Sequence, residues 1–268
     1  MDDTRKNQLN AHDLKQTYEQ VYSGDYKNFF TKYVNGQDTS QTNQCIVELW
    51  DWKGKKVLDL GCGTGTVASI LAERGAIVHG LDFSENAIKK ASTKSNQNMS
   101  FSVGSLDDIS GEYDVIISLG TIEHMETPAH AIEVFSKHLA QEGCVVLTCP
   151  NWTNIYRTIL LTLHFLFHLR ITLTDLHFIT HQDVELWASS AKLTIQSWFS
   201  YDHSLASGEH MIRDLEDRLP KVFKEVGPVP EKEIADLVNW LKKSISLDDR
   251  SPYSGGTALY VLSKEMDL

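Results

Sequence analysis

Nowhere in this chain do lysines and arginines gather into a run, and the 25 of them are outnumbered by 36 aspartates and glutamates, for a net charge of −11. A phosphate backbone would find no electrostatic footprint here, which argues against nucleic acid as a partner. Cysteine is scarce as well. Cys45, Cys62, Cys144 and Cys149 show no C-x-x-C spacing and no signal peptide precedes them, so they read as reduced thiols of a cytoplasmic protein. Long hydrophobic runs are missing too. The most apolar stretch, within 151–169, contains Ile155, Leu160, Leu163, Phe165 and Phe167 but is interrupted by His164 and His168. At roughly 15 residues it falls short of the ~20 that a membrane span needs. Three readings stay open for it: a buried lid helix, an apolar wall for a ligand, or a helix lying on a membrane surface.

What is present organises the chain around one stretch. With 268 residues, 41% of them hydrophobic, there is material for one substantial core and one domain with additions. Val57-Leu58-Asp59-Leu60 is an apolar, β-prone run carrying one acidic residue, and it breaks into Gly61-Cys62-Gly63-Thr64-Gly65 before an amphipathic stretch, Thr66 to Arg74. This predicts strand, tight loop and helix. Glycines there let a ligand approach backbone that carries no Cβ, and the helix start adds unpaired N–H groups, so the loop suits a nucleotide-like ligand. The dinucleotide fingerprint G-x-G-x-x-G needs a glycine where Thr66 stands, which counts against NAD. The next strand ends at Asp82, a carboxylate placed to accept hydrogen bonds from a ribose diol.

Alternating strand and helix patterns continue: a helix capped by Ser84, strands at Met99–Val103 and Tyr113–Leu119, a helix from Pro128 to Leu139 and a strand from Cys144 to Cys149. The motifs VLDLGCGTG, GLDFS, YDVIISLGTIEHM and GCVVLTCPN together resemble the class I S-adenosylmethionine (SAM)-dependent methyltransferases, and most resemble the branch that includes ubiquinone-biosynthesis O-methyltransferases. The resemblance implies an α/β, Rossmann-like fold: a seven-stranded, mostly parallel sheet with helices on both faces and helical lid insertions. It also implies SAM as cofactor, S-adenosylhomocysteine as product, and a small-molecule acceptor. Asp59, Gly61, Cys62, Gly63, Gly65, Asp82, Phe83, Ser105, Leu106 and Leu119 would then hold the cofactor, the last four around or near its adenine. Asp107 or Asp108 is an alternative adenine carboxylate.

His124 follows the strand ending at Leu119 and lies in an E-H pair resembling the E-x-x-E-H element of ubiquinone-type enzymes; it is the first candidate for the base that takes the acceptor's proton. His177 and His181, where similar enzymes place a histidine, rank below it. In that element the first glutamate helps to hold a divalent metal. Here Gly120 occupies the position, so no metal is expected. Residues 1–54 are expected to form a helical cap, with Leu14, Tyr18, Val21 and Tyr22 at helical spacing and Tyr26, Phe29, Phe30 and Tyr33 beyond Gly24. Residues 55–268 would form the methyltransferase domain, with lid insertions at about 151–182 and 202–253; the second delays the last strand, near Ala258–Ser263, and carries helical patterns of its own. The expected activity is methyl transfer to an oxygen of a small, partly apolar metabolite by a monomer or homodimer. N-methylation of an amine or amino sugar is the alternative, and a non-catalytic SAM-binding scaffold comes after it.

Overall fold

The computed structural model describes residues 11–23, 40–168, 171–172, 174–227, 229–244 and 251–264. The aromatic cluster from Tyr26 to Tyr33 lies outside the described residues. Two compact units are distinguished: a sheet-bearing unit within Leu9–Cys149, His181–Trp198 and Leu259–Leu268, and a helical unit within Pro150–Thr180 and Phe199–Ala258.

The sheet has seven strands: β1 Lys56–Leu60, β2 Ile77–Asp82, β3 Met99–Val103, β4 Tyr113–Leu119, β5 Leu139–Pro150, β6 Leu193–Tyr201 and β7 Thr257–Lys264. Their spatial order is β3-β2-β1-β4-β5-β7-β6. β1 pairs in parallel with β2 on one side and β4 on the other, so Val57, Leu58 and Leu60 are buried and the strand reads as a continuous apolar run. Asp59 is the exception. It is buried at 3% exposure and stands opposite Gly80 of β2, whose missing side chain leaves room for the Phe101 ring and the Cys62 sulfur.

Helices α1 (Ala11–Ser23), α2 (Ser40–Glu48), α3 (Thr66–Glu73), α4 (Glu85–Ser92), α5 (Pro128–His138) and α7 (His181–Ser190) belong to the sheet-bearing unit. Ser84 caps α4 as its residue type predicts, its hydroxyl accepting from the Ala87 N–H at 3.1 Å. The strand expected to begin at Cys144 begins instead at Leu139. Leu139 is fully buried and pairs with Tyr113, and the register then slips so that Cys144 faces Val115, which places Ala140 to Gly143 in a bulge-like irregularity that apolar patterning does not reveal.

The helical unit holds α6 (Ile155–Phe167), α8 (His203–Ala206), α9 (Glu209–Val226) and α10 (Glu231–Ser244). Tyr156, Leu160 and Leu163 of α6, Met211, Ile212, Leu215 and Leu219 of α9, and Ile234, Val238 and Leu241 of α10 form one buried cluster. Each set repeats at the three-to-four spacing of a helix face, which is why these segments are helices and why they share a core. A polar link runs through it: Asp214 accepts from the Tyr156 hydroxyl at 2.5 Å and is gripped by Arg218 at 2.7 and 3.0 Å, while the Arg218 guanidinium also donates to the Ile171 carbonyl. Buried Asn151 donates to the carbonyls of Tyr253 and Gly255, and Asn154 donates to Gly255, stitching the chain leaving β5 to the chain entering β7.

The stretch with three open readings has two characters. One face of α6 is core, yet Phe165 and Leu166 near its end are 59% and 69% exposed, so the expected apolar wall is in part an apolar surface. No described helix is long and apolar enough to cross a membrane.

Candidate active site

The loop after β1 is held from beneath by β2, with the N–H groups of Gly61 and Cys62 donating to the Leu81 carbonyl at 2.7 and 3.2 Å. Asp82 does the rest. One of its carboxylate oxygens accepts from the Gly63 N–H at 2.9 Å and the other from the Ser84 N–H at 2.9 Å, so a single side chain joins the β1–α3 loop to the start of α4. Gly61 has φ +78° and a Cβ there would lie 2.3 Å from the Thr121 hydroxyl; Gly63 has φ +52° and a Cβ there would lie 2.7 Å from the Tyr22 hydroxyl. Backbone handedness and close neighbours both require glycine at these two positions. The neighbours come from the loop after β4 and from α1. Spacing alone gave no sign of either.

The cradle is acidic. Burial, reinforced by the Asp82 charge and opposed by the Ala68 N–H, pushes the Asp59 carboxyl up to about 7. Burial also raises Asp82, against the two N–H groups that hold its charge. The Tyr22 phenol is pushed well above the ordinary tyrosine range by burial, then by Asp82, Cys62 and Asp59. Two carboxyl groups raised by desolvation beside a neutral phenol and the rings of Tyr18 and Phe83 suit a cation, and SAM, with its sulfonium and ammonium charges, fits this set. A cationic ligand should favour ionised Asp59. Cofactor binding is therefore expected to release protons between about pH 6 and 8, with affinity falling as pH drops below about 7, and Asp59→Asn should abolish the release. Calorimetry in two buffers of different ionisation enthalpy measures it. The same raised carboxyl favours the folded state at low pH, a contribution fully present below about 4 and lost as pH rises through about 7, so the ligand-free protein should become less stable across that window.

Helix α1 is part of this site. The Glu19 carboxylate accepts from the backbone N–H groups of Glu85 and Asn86 at 2.7 and 3.3 Å and from the Asn86 amide at 2.7 Å, capping α4 from a distant part of the chain, and Lys90 donates to the Tyr22 carbonyl at 2.5 Å. So anchored, α1 places Tyr18 edge-on to Phe83, 5.8 Å between centroids, and 5.7 Å from the His124 ring. His124 closes a 3₁₀ turn, Ile122–His124, that follows β4, and its Nε2 is 3.9 Å from the carboxylate of buried Glu123. From the sequence, Tyr18 and Tyr22 belong to a helical stripe of a segment that either packs on the sheet or closes over SAM and the acceptor, as N-terminal extensions do in similar families. Their four-residue spacing puts both on one face, and Glu19 gave no signal.

The other expected residues are placed as follows. Cys62 is buried, its sulfur against Gly80, with burial and the neighbouring carboxylates raising its thiol. Gly65 precedes α3 in a left-handed conformation against Phe101. Leu119 ends β4 and its carbonyl accepts from the Thr121 hydroxyl. Ser105 is exposed beside partly buried Leu106, and Asp108 turns back to accept from both the Ser105 N–H and hydroxyl, which hold its carboxyl below the usual range. Asp108 therefore closes its own turn. His177 lies in the helical unit. His181 opens α7 in the sheet-bearing unit and stacks on Trp198 at 4.7 Å and on Tyr260 at 5.8 Å. Among the described residues no group of three or more His, Cys, Asp or Glu side chains is disposed to hold a metal ion.

Residues 41–200 match the family described as a methyltransferase domain. The chain belongs to that family. Among curated relatives of this methyltransferase, the ubiquinone biosynthesis O-methyltransferase of Thiobacillus denitrificans is 34% identical over 105 residues, 37% of this chain and 45% of the relative. The ribosomal protein L11 methyltransferase of Wolinella succinogenes is 40% identical over 83 residues, 29% of this chain and 30% of that one. The matched regions thus span less than half the length of these relatives. Magnesium protoporphyrin IX methyltransferase from Synechocystis, solved with S-adenosylhomocysteine, shares the fold at TM-score 0.58 and 16% identity, covering 93% of this chain and 94% of that one. The methyltransferase family and the α/β, mostly parallel sheet agree with the resemblance carried by the motifs, and with SAM as the cofactor.

Proposed function

We propose that this methyltransferase moves the methyl group of SAM to an oxygen of a small, partly apolar acceptor. The observation that carries the reading is His124, set beyond β4 between the Tyr18 ring and the Glu123 carboxylate. SAM supplies an activated sulfonium methyl, so the protein's tasks are alignment, removal of the acceptor's proton and exclusion of water. The glycine loop, Asp59 and Asp82 hold the donor, with Phe83, Ser105, Leu106 and Leu119 toward the adenine. Tyr18 and Tyr22 shield the reacting end from solvent. His124 takes the proton of an alcohol or phenol, and Glu123 stabilises the imidazolium that results. No metal takes part. His177 and His181 rank below His124 as candidates for contact with the acceptor.

The second reading is N-methylation of a small amine or amino sugar, because an amine that loses its proton to solvent needs only alignment with the methyl group. Incubation with methyl-labelled SAM and matched panels of phenols, alcohols and amines, read by mass spectrometry, separates the two. Label on hydroxyl compounds supports the first reading. Label confined to amines replaces it with the second.

A further inference from the structure

Arg157, a cation of the helical unit, has no ion pair among the described residues. Arg157 lies in the first turn of α6, where the helix end is already positive and a cation is disfavoured. Its guanidinium carbon stacks 4.6 Å from the centroid of the Trp152 ring and 5.5 Å from that of Tyr156. Its Nε is buried with no hydrogen-bond partner, and among the described residues its side chain forms no ion pair. Trp152 is 3% exposed and its indole N–H is likewise buried without a partner. Asp214, which accepts from the Tyr156 hydroxyl, is committed to that tyrosine and to Arg218. Buried donors left unpaired are costly, and here two belong to groups stacked on each other.

Stacking fixes the guanidinium plane and leaves its edge for a planar, bidentate acceptor, which is carboxylate geometry. Apolar surface adjoins it. Phe178 lies 4.5 Å from the Trp152 ring, and His164 lies 5.2 Å from Phe178. We propose that Arg157 and Trp152 form a receptor for the carboxylate of a small molecule with an aromatic or apolar body. Arg157, Trp152, Phe178 and His164 all belong to the helical unit, so the receptor is built within that unit.

Binding needs no turnover, so the test is calorimetric, on the full chain with S-adenosylhomocysteine present. Benzoate, phenylacetate and cinnamate are compared with their uncharged amides. The acids should bind wild-type protein at least about tenfold more tightly than the amides, and Arg157→Gln should erase that preference. Arg157→Gln gives up the stacking on Trp152 and Tyr156 but strands no anion, and a cooperative thermal transition shows that the variant is folded. Arg157→Lys, which keeps charge without the fork, should retain part of the preference, and Trp152→Phe should weaken the acids alone. SAM affinity should be unchanged in Arg157→Gln; a parallel loss would mean that the carboxylate read is the cofactor's own and would overturn the inference. It is overturned equally if acids and amides bind alike, if no acid binds wild-type protein, or if the preference survives in Arg157→Gln. Asp82→Ala should weaken SAM and leave acid binding intact, which separates failure of this inference from failure of the cofactor assignment.

Discussion

His124→Ala should lower turnover by about 10² to 10⁴ while leaving SAM affinity within about twofold, because a positioned general base acts in the transition state and contributes little to binding the donor. The geometry supports such a split. His124 faces Tyr18 and Glu123, whereas the groups assigned to the donor hang from the loops after β1 and β2. Glu123→Gln should give a smaller loss, since it removes the charge that steadies the imidazolium without removing the base. Steady-state kinetics with SAM binding measured separately gives both quantities. Normal turnover in His124→Ala would transfer the role to His177 or His181, or point to an acceptor that needs no base. Activity should also survive EDTA; loss restored by magnesium would show that Gly120 does not remove a metal from the reaction.

The second large effect is expected at Asp82. A hydrogen bond to a charged group contributes about 1.5 to 3 kcal/mol, so losing even one to a ribose hydroxyl should weaken SAM at least about tenfold in Asp82→Ala. The structure adds a second cost. The carboxylate also receives the N–H groups of Gly63 and Ser84, and removing it strands both and frees the glycine loop. Asp82→Ala should therefore lose stability as well as affinity. Asp82→Asn, which keeps one acceptor oxygen, should fall between. Calorimetry for SAM and urea denaturation check the pair, and wild-type affinity in a folded Asp82→Ala protein would remove Asp82 from the cofactor site.

Much of the chemistry-bearing scaffold can be read along the chain. Met99–Val103 and Tyr113–Leu119 are strands with the boundaries that their patterning predicts, and Ser84 caps its helix as its residue type predicts. These are local matters: a buried parallel strand must be apolar along its length, and a helix must satisfy its first N–H groups within a few residues. The glycine loop after β1, Asp82 at the end of β2 and His124 in the turn after β4 stand at strand ends, as the strand patterning predicts.

Other features depend on residues far apart in sequence. Glu19 caps a helix that starts at Glu85, Tyr22 sets the space above Gly63, Thr121 sets that beside Gly61, and Phe101 that beside Gly65. The early start of β5 reflects pairing of Leu139 with Tyr113, and the two characters of α6 reflect which of its faces α9 and α10 cover. By itself, the sequence determined the strand-loop-helix alternation, the acidic glycine cradle and the histidine at the end of β4, because each rests on local dihedral preference, capping or periodic burial. Only the tertiary structure decided that Tyr22 of α1 stands over Gly63, that Asp59 is raised by burial beside Asp82, and that Arg157 stacks on Trp152 without an ion pair among the described residues. Desolvation, ring stacking and the pairing of charges are properties of neighbours in space, and one-dimensional spacing carries no record of them.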